Sequence, residues 1–351
     1  MASIRKRGEY QWQVEIRKRG WPYQSKIFKL KADAERWARM IEGEMDKGIF
    51  VDRHEAESTS LDEALVRYEK EISSHKRGTS QEQSVIKAWR TSDLSTRSLA
   101  SIRASDISSI RDDWLKEYQA ATVLRRLSVL SHLFNVARID WGMESLSNPV
   151  ESIRKPQPDN ARDRRIQKEY DGETGNKHDE LELIISATSS YFLPKASILA
   201  VETAMRRSEI AGLRWEHISI KKKVAHLPKT KNGAARDVPL STIAVSVLES
   251  LPHNINGKVF AVRADALTRA FERALLRARE IYEHTCRQEN RKPDPKFLVD
   301  LTFHDLRHEA TSRLAAIYQI HELAKVTGHK DLRMLMRYYH PRAEDLAKKL
   351  N

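Results

Sequence analysis

A mainly helical fold with small β elements, an α+β chain made of several units, follows from three features of the sequence. Apolar residues recur at helical spacing through most of the chain beyond residue 60; a period-two alternation stands near the N-terminus; and a strand-like insert interrupts the helical pattern from about residue 218 to 240. The 351 residues suffice for two or three domains with buried cores. Hydrophobic residues make up 40% and charged residues 32%, a charge-rich globular composition rather than a disordered one.

The first element is a strand in which Tyr10, Trp12, Val14 and Ile16 alternate with Gln11, Gln13, Glu15 and Arg17, placing apolar side chains on one face. Lys18-Arg19-Gly20 is a turn signal, and Trp21 to Leu30 reads as a second strand. A helix follows from about Ala32 to Lys47, with Ala34, Trp37, Ala38 and Ile41 on one side and Gly48 as its stop. Residues 1–52 thus form a small sheet-plus-helix module. Ser60-Leu-Asp-Glu63 is a capping box that opens a helical region running to about residue 155. Four or five helices are expected there, the clearest from about Thr122 to Ile139 with the stripe Leu124, Leu127, Leu130, Leu133, Phe134 and Ala137. The stretch Arg154 to Arg165, with two prolines, no apolar periodicity and strong positive charge, reads as a linker, placed at 156–165. The last domain, 166–351, is mostly helical, and its residues 280–297 read as a hydrophilic insertion.

Composition narrows the partner. No apolar run approaches the roughly 18–20 residues that span a bilayer, so no membrane partner is expected. The opening Met1-Ala-Ser-Ile-Arg-Lys-Arg7 is not followed by an apolar stretch, so no signal peptide is expected. A single cysteine, Cys286, rules out an intrachain disulfide and a Cys-based zinc site and points to a reducing cytoplasm; its plainest reading is an incidental side chain in a charged segment. The net charge of +13 points to a polyanion, DNA or RNA before an anionic membrane.

Four stretches of the last domain carry residues suited to phosphate chemistry. In Glu202-Thr-Ala-Met-Arg206-Arg-Ser-Glu209, Arg206 and Glu209 lie one helical turn apart, which is also the pattern of an ordinary ion-paired helix. Val224 to Leu240 reads as a hairpin with its turn at Lys231-Asn-Gly, where Lys231 either reaches a neighbouring groove or is solvated. His304-Asp-Leu-Arg307 places His304 and Arg307 on one helical face. Gly328-His329 is followed nine residues later by Tyr338, then Tyr339 and His340. Taken singly, Tyr338 also reads as a core aromatic and His329 as a capping or surface histidine.

In this order, Arg206, Lys231, His304-x-x-Arg307, Gly-His329 and Tyr338 resemble the tyrosine recombinase (phage integrase) family over about 180 residues. The surrounding Thr-Ala-Met-Arg, Thr-Lys-Asn-Gly, Phe303-His-Asp-Leu-Arg-His and Arg337-Tyr-x-His text agrees. Ser208, where many members have Gly, departs from it. Arg162-Asp-Arg-Arg165, Ala-His-Leu-Pro and Arg-Asp-Val-Pro-Leu resemble the shufflon-type DNA invertases. The resemblance implies an arm-type DNA-binding module at 1–52, a core-binding domain at 58–155 and a catalytic domain at 166–351. It implies a site-specific recombinase acting on double-stranded DNA through a 3′-phosphotyrosine, as a homotetramer whose C-terminal segment packs in trans, with accessory DNA-bending proteins as further partners.

The chemistry fits these residue types. A covalent phosphotyrosine conserves the phosphodiester bond energy, so no ATP is needed. By resemblance Tyr338 is the nucleophile, chosen over Tyr339 because it lies nine residues after His329 and two before His340. Arg206 and Arg307 hold the nonbridging oxygens with permanently charged planar forks. Lys231 protonates the leaving 5′ oxygen, His304 is general base or phosphate donor, and His329 is a second phosphate contact. Glu209 orients Arg206 or His304. No cofactor and no metal site is expected, since no carboxylate cluster, phosphate loop or His-x-x-x-His is present. DNA contacts are expected from Arg5, Lys6, Arg7, Arg17, Lys18 and Arg19 in the first module and from Thr122, Arg125 and Ser128 on a base-reading helix. Arg154, Lys155, Arg162, Arg164 and Arg165 would add contacts where the linker crosses the backbone. A type IB topoisomerase-like activity and a catalytically silent DNA-binding regulator are the competing readings.

Overall fold

The computed structural model describes residues 2–76, 78–159, 162, 164–170, 177–228 and 235–338. The chain divides into two compact units, Met1–Asn160 and Ala161–Asn351.

The first unit opens with three antiparallel strands, Ala2–Gly8, Gln11–Ile16 and Gln24–Phe28, with the second in the centre. Val14 pairs with Ile4 on one side and Lys26 on the other. Val14 and Ile16 are fully buried beneath the helix Lys31–Asp46, which turns Ala34, Ala38, Ile41 and Met45 onto them. Gly48 ends the segment with φ +70°, a left-handed conformation that glycine adopts without steric cost. The sequence reading found the second and third strands but missed Ala2–Gly8. That strand carries only one large apolar side chain, Ile4, so no alternation marks it.

A second core in the same unit gathers the helices Leu61–Glu71, Thr79–Arg90, Ala104–Glu117 and Ala120–Ile139. The Ser60–Glu63 capping box is present in both directions: the Glu63 amide donates to Ser60 Oγ (3.2 Å), and Glu63 Oε2 accepts from the Ser60 amide (2.8 Å). Trp89 is fully buried, meets Trp114 edge-on at 4.6 Å and donates its indole N–H to the Arg126 carbonyl at 2.9 Å. Arg126 lies against the rings of both Trp114 (4.5 Å) and Tyr118 (4.0 Å).

The second unit is built on the helices Leu193–Thr203, Ala264–Gln288 and Asp305–Ala315, whose apolar faces share one core. A small antiparallel sheet of Ile218–Ser219, Val224–Leu227 and Arg236–Pro239 lies where the strand-like insert was expected. The 25-residue helix Ala264–Gln288 takes in residues 280–288 of the stretch read as a hydrophilic insertion and corrects the reading there. Leu267, Phe271, Ala274, Ala278, Tyr282 and Cys286 form one buried stripe at helical spacing, so Cys286 is a core side chain rather than an incidental one. The polar residues between them had hidden the stripe. No helix among the described residues is long and apolar enough to cross a membrane.

Candidate active site

Helix Leu193–Thr203 stops at Ala204, which adopts a left-handed conformation (φ 52°), and the chain then turns through Arg206 into the short helix Arg207–Ala211. Arg206 is therefore an N-cap rather than a mid-helix residue. Its amide donates to Glu209 Oε2 (2.7 Å) and its Nη1 to Glu209 Oε1 (2.9 Å), while Nη2 points to the Gly328 carbonyl at 3.4 Å. Arg307 comes from the first turn of Asp305–Ala315 and is 5% exposed. Its guanidinium donates to the Ala204 carbonyl and, at 2.7 Å, to the Thr327 carbonyl. Burial, reinforced by the like charges of Arg206 and Arg236, pulls Arg307 down to about 9. Still charged at pH 7, it is held by carbonyl dipoles, an arrangement an incoming phosphate would relieve.

His304 caps the same helix, and His329 follows the left-handed Gly328 with its Nδ1 2.6 Å from Thr327 Oγ1. Arg206, Arg307, His304 and His329 converge on one cleft of about 670 Å³, flanked by Arg207 and Lys330. Lost hydration, then the neighbouring positive groups, hold both histidines down to about 4. Histidine in an unfolded chain titrates near 6.5. Between about 6.5 and 4 the unfolded chain therefore takes up protons that the folded chain does not, and stability falls as pH falls through that window. His329→Gln is expected to flatten this dependence in denaturant melts between pH 6.5 and 4.5. An unchanged slope would mean that the folded ring takes up its proton over the same pH range as in the unfolded chain.

Tyr338 is half-buried against Ala315, Leu323 and Leu335, and is not among the described residues lining the cleft. Its hydroxyl is hydrogen-bonded to His308 Nδ1, and the two rings stack with centroids 5.9 Å apart. Lys231, Tyr339, His340 and the C-terminal segment lie outside the described residues.

Two residues here have contacts that their motif text did not assign. His308 closes the Phe303-His-Asp-Leu-Arg-His text but had no role assigned to it. Arg236 donates two bonds to the Glu209 carboxylate (2.9 and 2.7 Å) and one to the Val326 carbonyl (2.9 Å). The signal for Arg236 was present: it shares the parity of Val238 and Leu240, so the strand turns it inward, and an inward arginine needs a carboxylate.

The residues assigned to DNA differ in how free they are. Arg162, Arg164 and Arg165 are each paired with a carboxylate, and the Arg165 side chain is still 49% exposed. Arg162 binds Asp305 (3.0 and 2.9 Å) and Asp300 (3.1 Å), Arg164 binds Glu180, and Arg165 binds Glu309 (2.7 Å). Glu180, Asp305 and Glu309 are buried carboxylates that require counter-charge, and the three arginines supply it. Arg5, Lys6, Arg7, Arg17, Arg19, Arg154 and Lys155 are exposed, while Lys18 pairs with Asp46. On the helix Ala120–Ile139, Arg125 and Ser128 are exposed and Thr122 is half-buried.

A helical unit thus sets two arginines and two histidines around one cleft, with a tyrosine on an adjoining segment, the residue types that the tyrosine recombinase resemblance names. Comparison with known proteins gives the particular family. Residues 177–345 match the phage integrase family. A shufflon-specific DNA recombinase of Escherichia coli is 39% identical over 311 residues, covering 83% of this chain and 72% of that protein. A putative integrase/recombinase of Haemophilus influenzae is 34% identical over 360 residues, covering 99% and 88%. Among solved structures, a lambda integrase tetramer bound to a Holliday junction superposes with a TM-score of 0.61 at 20% identity, over 97% of this chain and 95% of that one. The chain belongs to the phage integrase family.

Proposed function

We propose that this protein is a site-specific DNA recombinase that cleaves and rejoins strands through a 3′-phosphotyrosine on Tyr338, without metal or ATP. The observation that carries this reading is the convergence of Arg206, Arg307, His304 and His329 on one cleft, with Tyr338 on a segment packed beside it. In the forward step Tyr338 Oη bonds to phosphorus and the bond to the 5′ oxygen breaks. The two guanidiniums hold the nonbridging oxygens as charge builds on them. His304, neutral at pH 7, takes the phenol proton or donates to a phosphate oxygen, and His329 makes a second phosphate contact. Lys231 supplies the proton to the leaving 5′ oxygen. Rejoining runs the same steps backwards from a new 5′ hydroxyl. With its hydroxyl on His308, Tyr338 must leave that contact to reach a phosphate in the cleft.

The same reading makes residues 1–52 an arm-type module, 58–155 a core-binding domain, 156–165 a linker and 166–351 the catalytic domain of a cytoplasmic enzyme. Double-stranded DNA carrying recombination sites is the partner, and a homotetramer with the C-terminal segment packed in trans is the assembly, assisted by DNA-bending proteins. The relatedness to a shufflon-specific recombinase favours inversion as the outcome.

The test uses a supercoiled plasmid carrying two copies, in inverted orientation, of DNA that flanks the gene, in EDTA without ATP. Inversion of the intervening segment is expected. Relaxation without inversion would make the protein topoisomerase-like, and tight binding with neither product would make it a silent regulator.

A further inference from the structure

Glu209 is one buried carboxylate shared by two guanidiniums. Arg206 takes one Oε1 bond and an amide bond to Oε2; Arg236 takes one bond to each oxygen. Both partners of the Arg236–Glu209 pair are nearly sealed, with side chains 7% and 5% exposed. A carboxylate paired with Arg206 alone would cancel the charge that Arg206 offers to a phosphate. With Arg236 present, the trio carries a net positive charge, directed outward through the one member that lines the cleft.

We infer that Arg236 is a positioning residue for strand cleavage: it neutralises Glu209 so that Arg206 keeps its charge for the scissile phosphate, and it fixes the Gly328-His329 turn. The inference rests on the cleft's role in the proposed function. The second half comes from its remaining contacts. Arg236 Nε donates to the Val326 carbonyl (2.9 Å), and a Cβ at position 328 would stand 3.0 Å from Arg236 Nη1 and 3.2 Å from Cδ and Cζ. Gly328 is thus the residue that admits the Arg236 head, in a turn whose φ of +71° already favours glycine. The Gly328 carbonyl in turn faces Arg206. One side chain therefore ties the sheet strand, the Arg206 cap and the His329 turn together. The Glu209 carboxyl is consistent with this: burial raises it, but Arg236 and the Arg206 amide outweigh burial and hold it down to about 2.

The experiment compares wild type, Arg236→Met, Arg236→Met/Glu209→Gln and Arg236→Lys in two readouts. One is the rate of covalent adduct formation on flanking DNA; the other is the rise in melting temperature on replacing chloride by inorganic phosphate at equal ionic strength. Arg236→Met, which leaves Glu209 to neutralise Arg206, is expected to lose about 10- to 100-fold in rate and most of the phosphate-induced rise. Adding Glu209→Gln removes the stranded charge and is expected to restore at least fivefold. Arg236→Lys keeps the charge and is expected to stay within about tenfold of wild type, and it serves if Arg236→Met does not fold. A double variant worse than Arg236→Met in both readouts would reduce Arg236 to a packing brace and overturn the inference, as would a Lys variant as impaired as Met. If wild type forms no adduct yet the order in phosphate holds, the strand-exchange reading fails and the charge-sharing role stands.

Discussion

Arg307→Lys is expected to slow formation of the covalent DNA–protein adduct by on the order of 10³-fold, close to 4 kcal/mol in the barrier. The guanidinium uses two directions to bind the Ala204 and Thr327 carbonyls and has further N–H groups for the cleft. An ammonium keeps the charge but is a point donor on a longer stem, and cannot bridge both carbonyls while also presenting a fork to phosphate. Stability should respond far less. Leaving one buried carbonyl unpaired costs about 1–2 kcal/mol, which corresponds to roughly 3–6 °C for a unit of this size. Relief of crowding with Arg206 and Arg236 opposes that loss. A single-turnover cleavage assay beside a thermal melt checks both numbers. A large fall in melting temperature with little change in rate would make Arg307 a structural residue.

Tyr338→Phe is expected to abolish the adduct entirely, because it removes the attacking oxygen and nothing else. The ring keeps its packing against Leu323 and Leu335, and the hydrogen bond to His308 is lost, about 0.5–1.5 kcal/mol. DNA affinity, which this account assigns to arginines and lysines elsewhere, should change by less than about twofold in a gel-retention titration. Loss of the adduct together with loss of DNA binding would point instead to a folding defect.

Much of this organisation was legible in the sequence, and the reasons differ from place to place. Val14 and Ile16 declared a strand because a half-buried strand alternates, and Ser60–Glu63 declared a helix start because the reciprocal cap has a fixed spacing. Arg206, His304, Arg307 and His329 were assigned by motif, and the fold brings all four to one cleft from three separate segments. What the sequence hid was the partner of each charge. Arg162, Arg164 and Arg165 look like a basic linker in one dimension, whereas Asp305 and Glu309 lie more than 140 residues further on, and Glu180 lies 16, so the pairs form only in the fold. Arg236, quoted only within the Arg-Asp-Val-Pro-Leu text, had no legible role for the same reason, since its carboxylate is 27 residues away. The resting place of Tyr338 on His308 is a tertiary fact that no spacing rule encodes.

The central claim, that Tyr338 is the covalent nucleophile, is tested most directly by identifying the linked residue. The full-length protein is incubated in EDTA with a nicked duplex of its flanking site, from which the cleaved strand's 5′ end diffuses away. The adduct is then denatured and digested with protease and nuclease, and the peptides are analysed by mass spectrometry. A nucleotide phosphate on Tyr338 is expected, and no modified peptide from Tyr338→Phe. Modification of Tyr339, or of any other side chain, would contradict it.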